Sequence, residues 1–196
     1  MDIVPWAEMT WLNEPPAWRI DGETLVVETG PETDFWRSTG YGFVRDSGHF
    51  LGRPLEGDAA IEVTFRGDLS HQFDQAGLML RAGPETWVKA GAELSDGRLY
   101  ASAVVTNGMS DWSVAPLQGG ARGRALKVRA SRSGDAVTVR YRVGEAPTWE
   151  LLRVAWLPPD MPIEAGLMCC SPKRSGLSVR FESVRVGPPD ERLHED

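Results

Sequence analysis

The stretch DQAGLMLRAGPETWVKAGAELSDGRLYASAVVT, residues 74–106, decides the fold. It holds three runs of alternating character, and successive side chains of a strand point to opposite faces. In the first run Ala76, Leu78, Leu80 and Ala82 share one face, and Gln75, Gly77, Met79 and Arg81 the other. In the second, Val88, Ala90, Ala92 and Leu94 oppose Trp87, Lys89, Gly91 and Glu93. In the third, Leu99, Ala101, Ala103 and Val105 oppose Tyr100, Ser102, Val104 and Thr106. Each run reads as a strand with one face for a core and one for something else.

Register follows from the turns. Asp96-Gly97 is the sequence of a two-residue type I′ hairpin turn. Closing it pairs Glu93 with Tyr100, Gly91 with Ser102, Lys89 with Val104 and Trp87 with Thr106. Paired residues must share a face, so the preceding hairpin needs an odd-length loop. A three-residue loop, Gly83-Pro84-Glu85, pairs Gln75 with Glu93, Gly77 with Gly91, Met79 with Lys89 and Arg81 with Trp87. The outer face then has an almost bare row, Gly77, Gly91 and Ser102, with an indole, an ammonium and a carboxylate around it. Glycine inside a strand marks close approach of a ligand or of another backbone. Two facing glycines cost roughly 1 kcal/mol or more relative to alanine. A ligand slot is one reason for that cost. The other is a covering strand or loop, with the glycines making room for an aromatic lid. Lys89 and Glu93 read either as ligand groups or as a solvated charge pair worth under ~1 kcal/mol.

Working outward, alternating runs recur at 24–29, 41–51, 60–66, 125–131, 136–141, 149–156, 163–170 and 177–186, with Gly, Pro or Asp turns between them. No sustained helical periodicity appears. Many short strands at this spacing predict an all-β fold, a two-sheet antiparallel jelly-roll sandwich. One domain over 1–187 is expected, with the charged, proline-bearing 188–196 as a flexible tail.

The 196 residues are 41% hydrophobic and 25% charged, with a formal net charge of −7. That balance fits a soluble globular chain and supplies no basic field for nucleic acid or anionic lipid. No apolar run approaches the ~20 residues of a membrane span, and the start MDIVPWAEMTWLNEPP lacks the pattern of a signal peptide. Cys169 and Cys170 are adjacent and read as reduced, buried apolar residues. A cytoplasmic location is therefore expected. There is no metal-spaced His/Cys set, no phosphate-cradling Gly-rich loop and no Gly-x-Ser-x-Gly elbow, so neither a cofactor nor a metal is called for.

Two further clusters stand out. Asp34-Phe35-Trp36 is followed by Tyr41-Gly42-Phe43, and Met109-Ser110-Asp111-Trp112-Ser113 follows the third strand of the opening stretch. Both read as loops that present Trp36 and Trp112 beside short polar groups, which suits the C–H faces and hydroxyls of sugars; the alternative is that these tryptophans pack over the rim of the sandwich. His49 reads as a hydrogen-bonded structural residue, His71 as part of a polar turn, and His194 as part of the tail.

These motifs, with Gly48-His49, Val104-Val105-Thr106 and Cys169-Cys170-Ser171-Pro172, resemble the DUF1349 family over about 11–186. The resemblance implies a concanavalin A-like lectin/glucanase jelly roll. The family has a fungal member described as a regulator of enolase, which implies a metabolic enzyme as a partner. Glucanases of that superfamily carry two or three carboxylates along one strand, and retaining glycosidases need two carboxyl groups ~5 Å apart. Here the strand reads Trp87, Lys89, Gly91, Glu93, with one carboxylate. The leading expectation is a binding module for a carbohydrate or small polar ligand. Its candidate contacts are Trp36, Gln75, Trp87, Lys89, Glu93, Tyr100, Thr106, Asp111 and Trp112. The rivals are a glycoside-active enzyme using Glu93 and Lys89 as acid and base, and a protein-interaction module acting on a metabolic enzyme.

Overall fold

The opening stretch forms three adjacent antiparallel strands, and the rest of the chain is arranged around them. The computed structural model describes residues 1–117 and 123–192. In chain order the strands are β1 (Asp2–Ile3), β2 (Thr10–Leu12), β3 (Ala17–Asp21), β4 (Thr24–Glu28), β5 (Phe35–Arg37) and β6 (Val44–Asp46). Then come β7 (His49–Leu55), β8 (Ala59–Gly67), β9 (Gln75–Gly83), β10 (Thr86–Ser95), β11 (Arg98–Asn107) and β12 (Met109–Pro116). The last are β13 (Leu126–Ser133), β14 (Ala136–Val143), β15 (Glu150–Trp156), β16 (Ile163–Cys170) and β17 (Ser178–Gly187). One sheet has the order β15-β14-β13-β8-β17-β4-β3, with β1 paired to β17. The second runs β12-β11-β10-β9-β16-β7-β2, and β5 and β6 form a separate hairpin. This is the two-sheet antiparallel sandwich that the alternation predicts.

The registers match those derived from the turns. Glu93 faces Tyr100 and Gln75, Gly91 faces Ser102 and Gly77, Lys89 faces Val104 and Met79, and Trp87 faces Thr106 and Arg81. Asp96 and Gly97 both have positive φ (49° and 76°), as a type I′ turn demands. The other hairpin differs in detail. Gly83 pairs with Thr86 around Pro84-Glu85, and a bulge at Thr86/Trp87 restores the same downstream register. The inner faces of both sheets meet in one core that includes Leu78, Leu80, Val88 and Ala90 from the second sheet and Ile61, Val63, Phe65 and Phe181 from the first. A second apolar cluster lies on the opposite side of the second sheet: Phe35, Trp36, Phe50, Met79, Trp87, Val104, Met168 and Cys170.

Other parts of the sequence fold differently from the reading above. Residues 109–113 are not a loop but part of the edge strand β12. The run at 41–51 is interrupted between β6 and β7. A Cβ on Gly48 would lie 2.3 Å from the Phe35 ring, so only glycine lets that ring in. His49 is structural, as expected: its Nε2 accepts from Gly30 N (2.9 Å), and its Nδ1, which therefore carries the proton, donates to Asn13 O (2.6 Å). Burial lowers its pKa. Both cysteines are free and buried, and burial pushes both thiols up. In the stretch expected to be a tail, Asp190 ion-pairs with Arg129 and Arg140, and its N–H donates to Ser131 Oγ (2.8 Å). His194 lies outside the described residues.

The facing glycines have a backbone cause. A Cβ at Gly77 would lie 2.0 Å from the Ala90 carbonyl oxygen, and one at Gly91 would lie 1.9 Å from that of Ala76. The neighbouring strand, not a ligand, excludes a side chain at either position. Gly77→Ala and Gly91→Ala are therefore each expected to destabilise by ~3 kcal/mol or more, at the upper end of overpacking costs. Gly83→Ala, whose added Cβ meets nothing within 4 Å, should be near neutral. Chemical denaturation of the three variants checks this ranking.

Candidate functional site

The outer face of the second sheet is covered around Trp87. The cover is the β5–β6 hairpin. Phe35 is buried against Trp87, with ring centroids 6.2 Å apart, inside the second apolar cluster. Arg37 fastens the hairpin to the edge of the sheet: its Nε donates to Gly108 O (2.9 Å), its backbone N–H to Ser110 Oγ (2.9 Å), and its guanidinium pairs with Glu85. Beneath the other end, Lys89 Nζ donates to Phe35 O (2.7 Å) and Asp34 Oδ1 (3.2 Å). A covering element with an aromatic contact thus lies over Trp87, although the paired glycines are not what makes room for it.

A cavity of about 190 Å³ remains beside the lid. That is below the ~300–1,000 Å³ of sites for drug-sized ligands, and on the scale of one small polar molecule. Its base is Gln75, Lys89, Glu93 and Val104, with Asp34 beside them. The lid supplies one wall, Trp36, Tyr41 and Phe43, in which Trp36 and Tyr41 meet edge-on at 5.5 Å and Tyr41 stacks on Phe43 at 5.6 Å. Phe73 and Trp112, edge-to-face at 6.5 Å, supply the opposite wall. Phe73 is held at φ 65°, a rare conformation for a bulky residue. The neighbouring Asp74 fixes it there, its buried carboxylate accepting from Ser70 N, His71 N and the Arg174 guanidinium.

Glu93 is the group with the least ordinary surroundings. It is 5% exposed, and its Oε2 accepts from Ser102 Oγ and from Trp112 Nε1 (3.1 Å). Both donors are neutral and both use the same oxygen. No donor among the described residues reaches Oε1. Burial pushes the Glu93 carboxyl above its ordinary value, against the opposing pull of Lys89 and Ser102. Burial by itself would lower Lys89, but the charges of Asp34 and Glu93 outweigh it and the net direction is up. The charge pair read between Lys89 and Glu93 does not form, because the ammonium ion-pairs with Asp34. An ammonium held above its usual pKa is an electrostatic anchor and not a general base near neutral pH.

Five of the nine candidate contacts line the cavity: Trp36, Gln75, Lys89, Glu93 and Trp112. The other four do not. Trp87 shares their face, but Phe35 covers it and it is 1% exposed. Thr106 is buried under the lid, its hydroxyl bonded to Ser110 Oγ (2.8 Å). Tyr100 sits across from Glu93 without reaching the cavity. Asp111 alternates with Trp112 along β12, so it points to the other side and pairs with Arg153 (3.0 Å). The glycine floor is closed as well. The space over Gly91, among Gln75, Glu93, Ser102 and Met168, has no volume for a water molecule. Asp34, Tyr41, Phe43 and Phe73 were absent from the expected contacts. The first three lie in the acid-aromatic cluster at 34–43, which signalled them, whereas nothing local in sequence signals the backbone of Phe73. Among the described residues no group of three or more His, Cys, Asp or Glu is placed to hold a metal, and no helix is long and apolar enough to cross a membrane.

Comparison with known proteins agrees with this architecture. The family model described as "Protein of unknown function (DUF1349)" matches residues 11–189. "Regulation of enolase protein 1" of Saccharomyces cerevisiae is 40% identical over 188 residues, covering 95% of this chain and 93% of that protein. The crystal structure of a functionally unknown protein from the same yeast superposes with a TM-score of 0.88 at 38% identity, covering 95% of this chain and 99% of that one. A mutant of the GH43 protein BlXynB from Bacillus licheniformis superposes at 0.74, with 13% identity, over 94% of this chain and 37% of its own. The last likeness is one of fold alone.

The raised Glu93 carboxyl has a consequence for stability. A folded-state pKa above the unfolded one adds stability that is present below the unfolded value and lost as pH rises through the folded value. Glu93→Gln removes that loss. Its melting temperature relative to the parent protein is therefore expected to improve as pH is raised from below 4.5 towards neutrality. A difference that is flat with pH, or that worsens, would contradict the assignment.

Proposed function

This chain belongs to the DUF1349 family, and we propose that its cavity binds one small polyhydroxylated ligand, a monosaccharide or a molecule of that size. The observation that carries the reading is the pairing of aromatic walls with a buried hydrogen-bonding base. Trp36, Tyr41, Phe43, Phe73 and Trp112 offer flat apolar surfaces for C–H faces. Glu93 Oε1 offers an acceptor that no donor among the described residues reaches, and Lys89 has two hydrogen-bond partners for its three protons, with the Trp87 ring centroid 5.7 Å away. Buried polar groups require partners, and water or a hydroxylated ligand supplies them here. The volume favours a single ring over a polymer. Catalysis is the weaker reading, since Lys89 stays charged and the second carboxylate at the base, Asp34, is engaged by its ion pair with Lys89.

A second reading has its own support. A relative named for regulation of enolase, at 40% identity over nearly the whole chain, favours a regulatory interaction with that enzyme. The two readings are compatible if ligand and enzyme use different surfaces.

A thermal-shift and calorimetric screen of monosaccharides, polyols and their derivatives tests the first reading. At least one is expected to stabilise the protein. Tyr41→Ala, on the exposed rim, should weaken that ligand about tenfold (~1.4 kcal/mol). Repeating the titration with purified enolase present reports the second reading by a change in mobility or affinity. A screen in which no compound binds would remove the ligand reading.

A further inference from the structure

Resting on the reading of the cavity as a ligand site, we propose that its ligand carries a protonated amine, as an amino sugar or a compact hydroxylated amine does, and that the ammonium seats on Glu93. Three observations lead there. Glu93 is 5% exposed, yet its hydrogen bonds come from a hydroxyl and an indole, and among the described residues no cation ion-pairs with it. The one ammonium at the base, Lys89, is committed to Asp34 Oδ1 and Phe35 O. The base therefore holds two carboxylates to one ammonium. A buried carboxylate without a counter-ion is costly, and a cationic ligand group supplies the missing charge.

The walls fit the same chemistry. Aromatic rings attract cations through their faces, and five of them line the same cavity as the unpaired carboxylate. One of them shows the behaviour already: the Arg45 guanidinium lies 5.5 Å from the centroid of Phe43 at the mouth. Arg45 and Lys173 line the outer part of the cavity with Glu32, so the mouth is not short of positive charge and the base is. An acid group directed to the base would face Glu93 with a single Lys89 proton to meet it. Sugar acids are thereby disfavoured against amines.

Calorimetry on the full chain with matched sets decides the matter: glucose, glucosamine and glucuronate, then galactose, galactosamine and galacturonate, at a pH below the pKa of the amines. The amino sugar of at least one set is expected to bind ten or more times tighter than its neutral parent, with the uronate weakest. Glu93→Gln should abolish that preference. Equal or tighter binding of the neutral or acidic sugar overturns the proposal, as does a preference that survives in a folded Glu93→Gln protein. If that variant does not fold, the ranking on the parent protein still decides. Binding of neutral sugars without an amine preference defeats this proposal alone. Binding of none defeats it together with the ligand site.

Discussion

The bond from a buried lysine to the start of a covering hairpin organises this molecule's outer face. Lys89 projects from the middle of the second sheet, away from the main core, and is 2% exposed. Taking an ammonium out of water costs several kcal/mol unless it is paired and hydrogen-bonded. Asp34 and the Phe35 carbonyl meet that need, across 55 and 54 residues of chain. In doing so they fix where the β5–β6 hairpin begins. Phe35 then falls onto Trp87, and Trp36, Tyr41 and Phe43 rise as a wall. One interaction thus sets both the covered part of the face and the border of the cavity.

The same bond leaves Glu93 isolated. Lys89 stands four residues away along β10, on the same face, with only Gly91 between them there, and would be its natural partner. With the ammonium turned to Asp34, Glu93 keeps only Ser102 and Trp112. Stability alone would favour an apolar residue in such a place, since buried charge is weak as a stabilising device. A carboxylate there, beside a cavity, fits the ligand-binding role proposed for it.

Much of this was legible in the sequence. Period-two alternation and the hairpin turns gave the cross-strand pairs of β9, β10 and β11 from Trp87 to Glu93, because a one-residue slip would have turned the apolar faces outward, while the bulge that pairs Gly83 with Thr86 was not foreseen. The identity of the covering element was not legible. Alternation tells which side chains share a face and says nothing about which distant segment lies on it, so Trp87 read as a ligand platform when it is the seat of Phe35. Asp111 was misplaced for a related reason: without recognising β12 as a strand, the opposite orientations of Asp111 and Trp112 could not be inferred. The glycine pair was read for its missing side chains, whereas the decisive neighbours are the carbonyl oxygens of Ala76 and Ala90. Phe73 reaches the cavity through a left-handed backbone that is set by Asp74 and Arg174, a contact 100 residues apart in sequence.

The most direct test of the central claim, that Glu93 is a buried carboxylate with no counter-ion, is a carbon-13 NMR titration of its side-chain carboxyl in the ligand-free protein, assigned with Glu93→Gln. The account predicts a midpoint above the ordinary glutamate value of 4.5. A midpoint at or below that value would mean that Lys89 or another cation neutralises Glu93, and would contradict it.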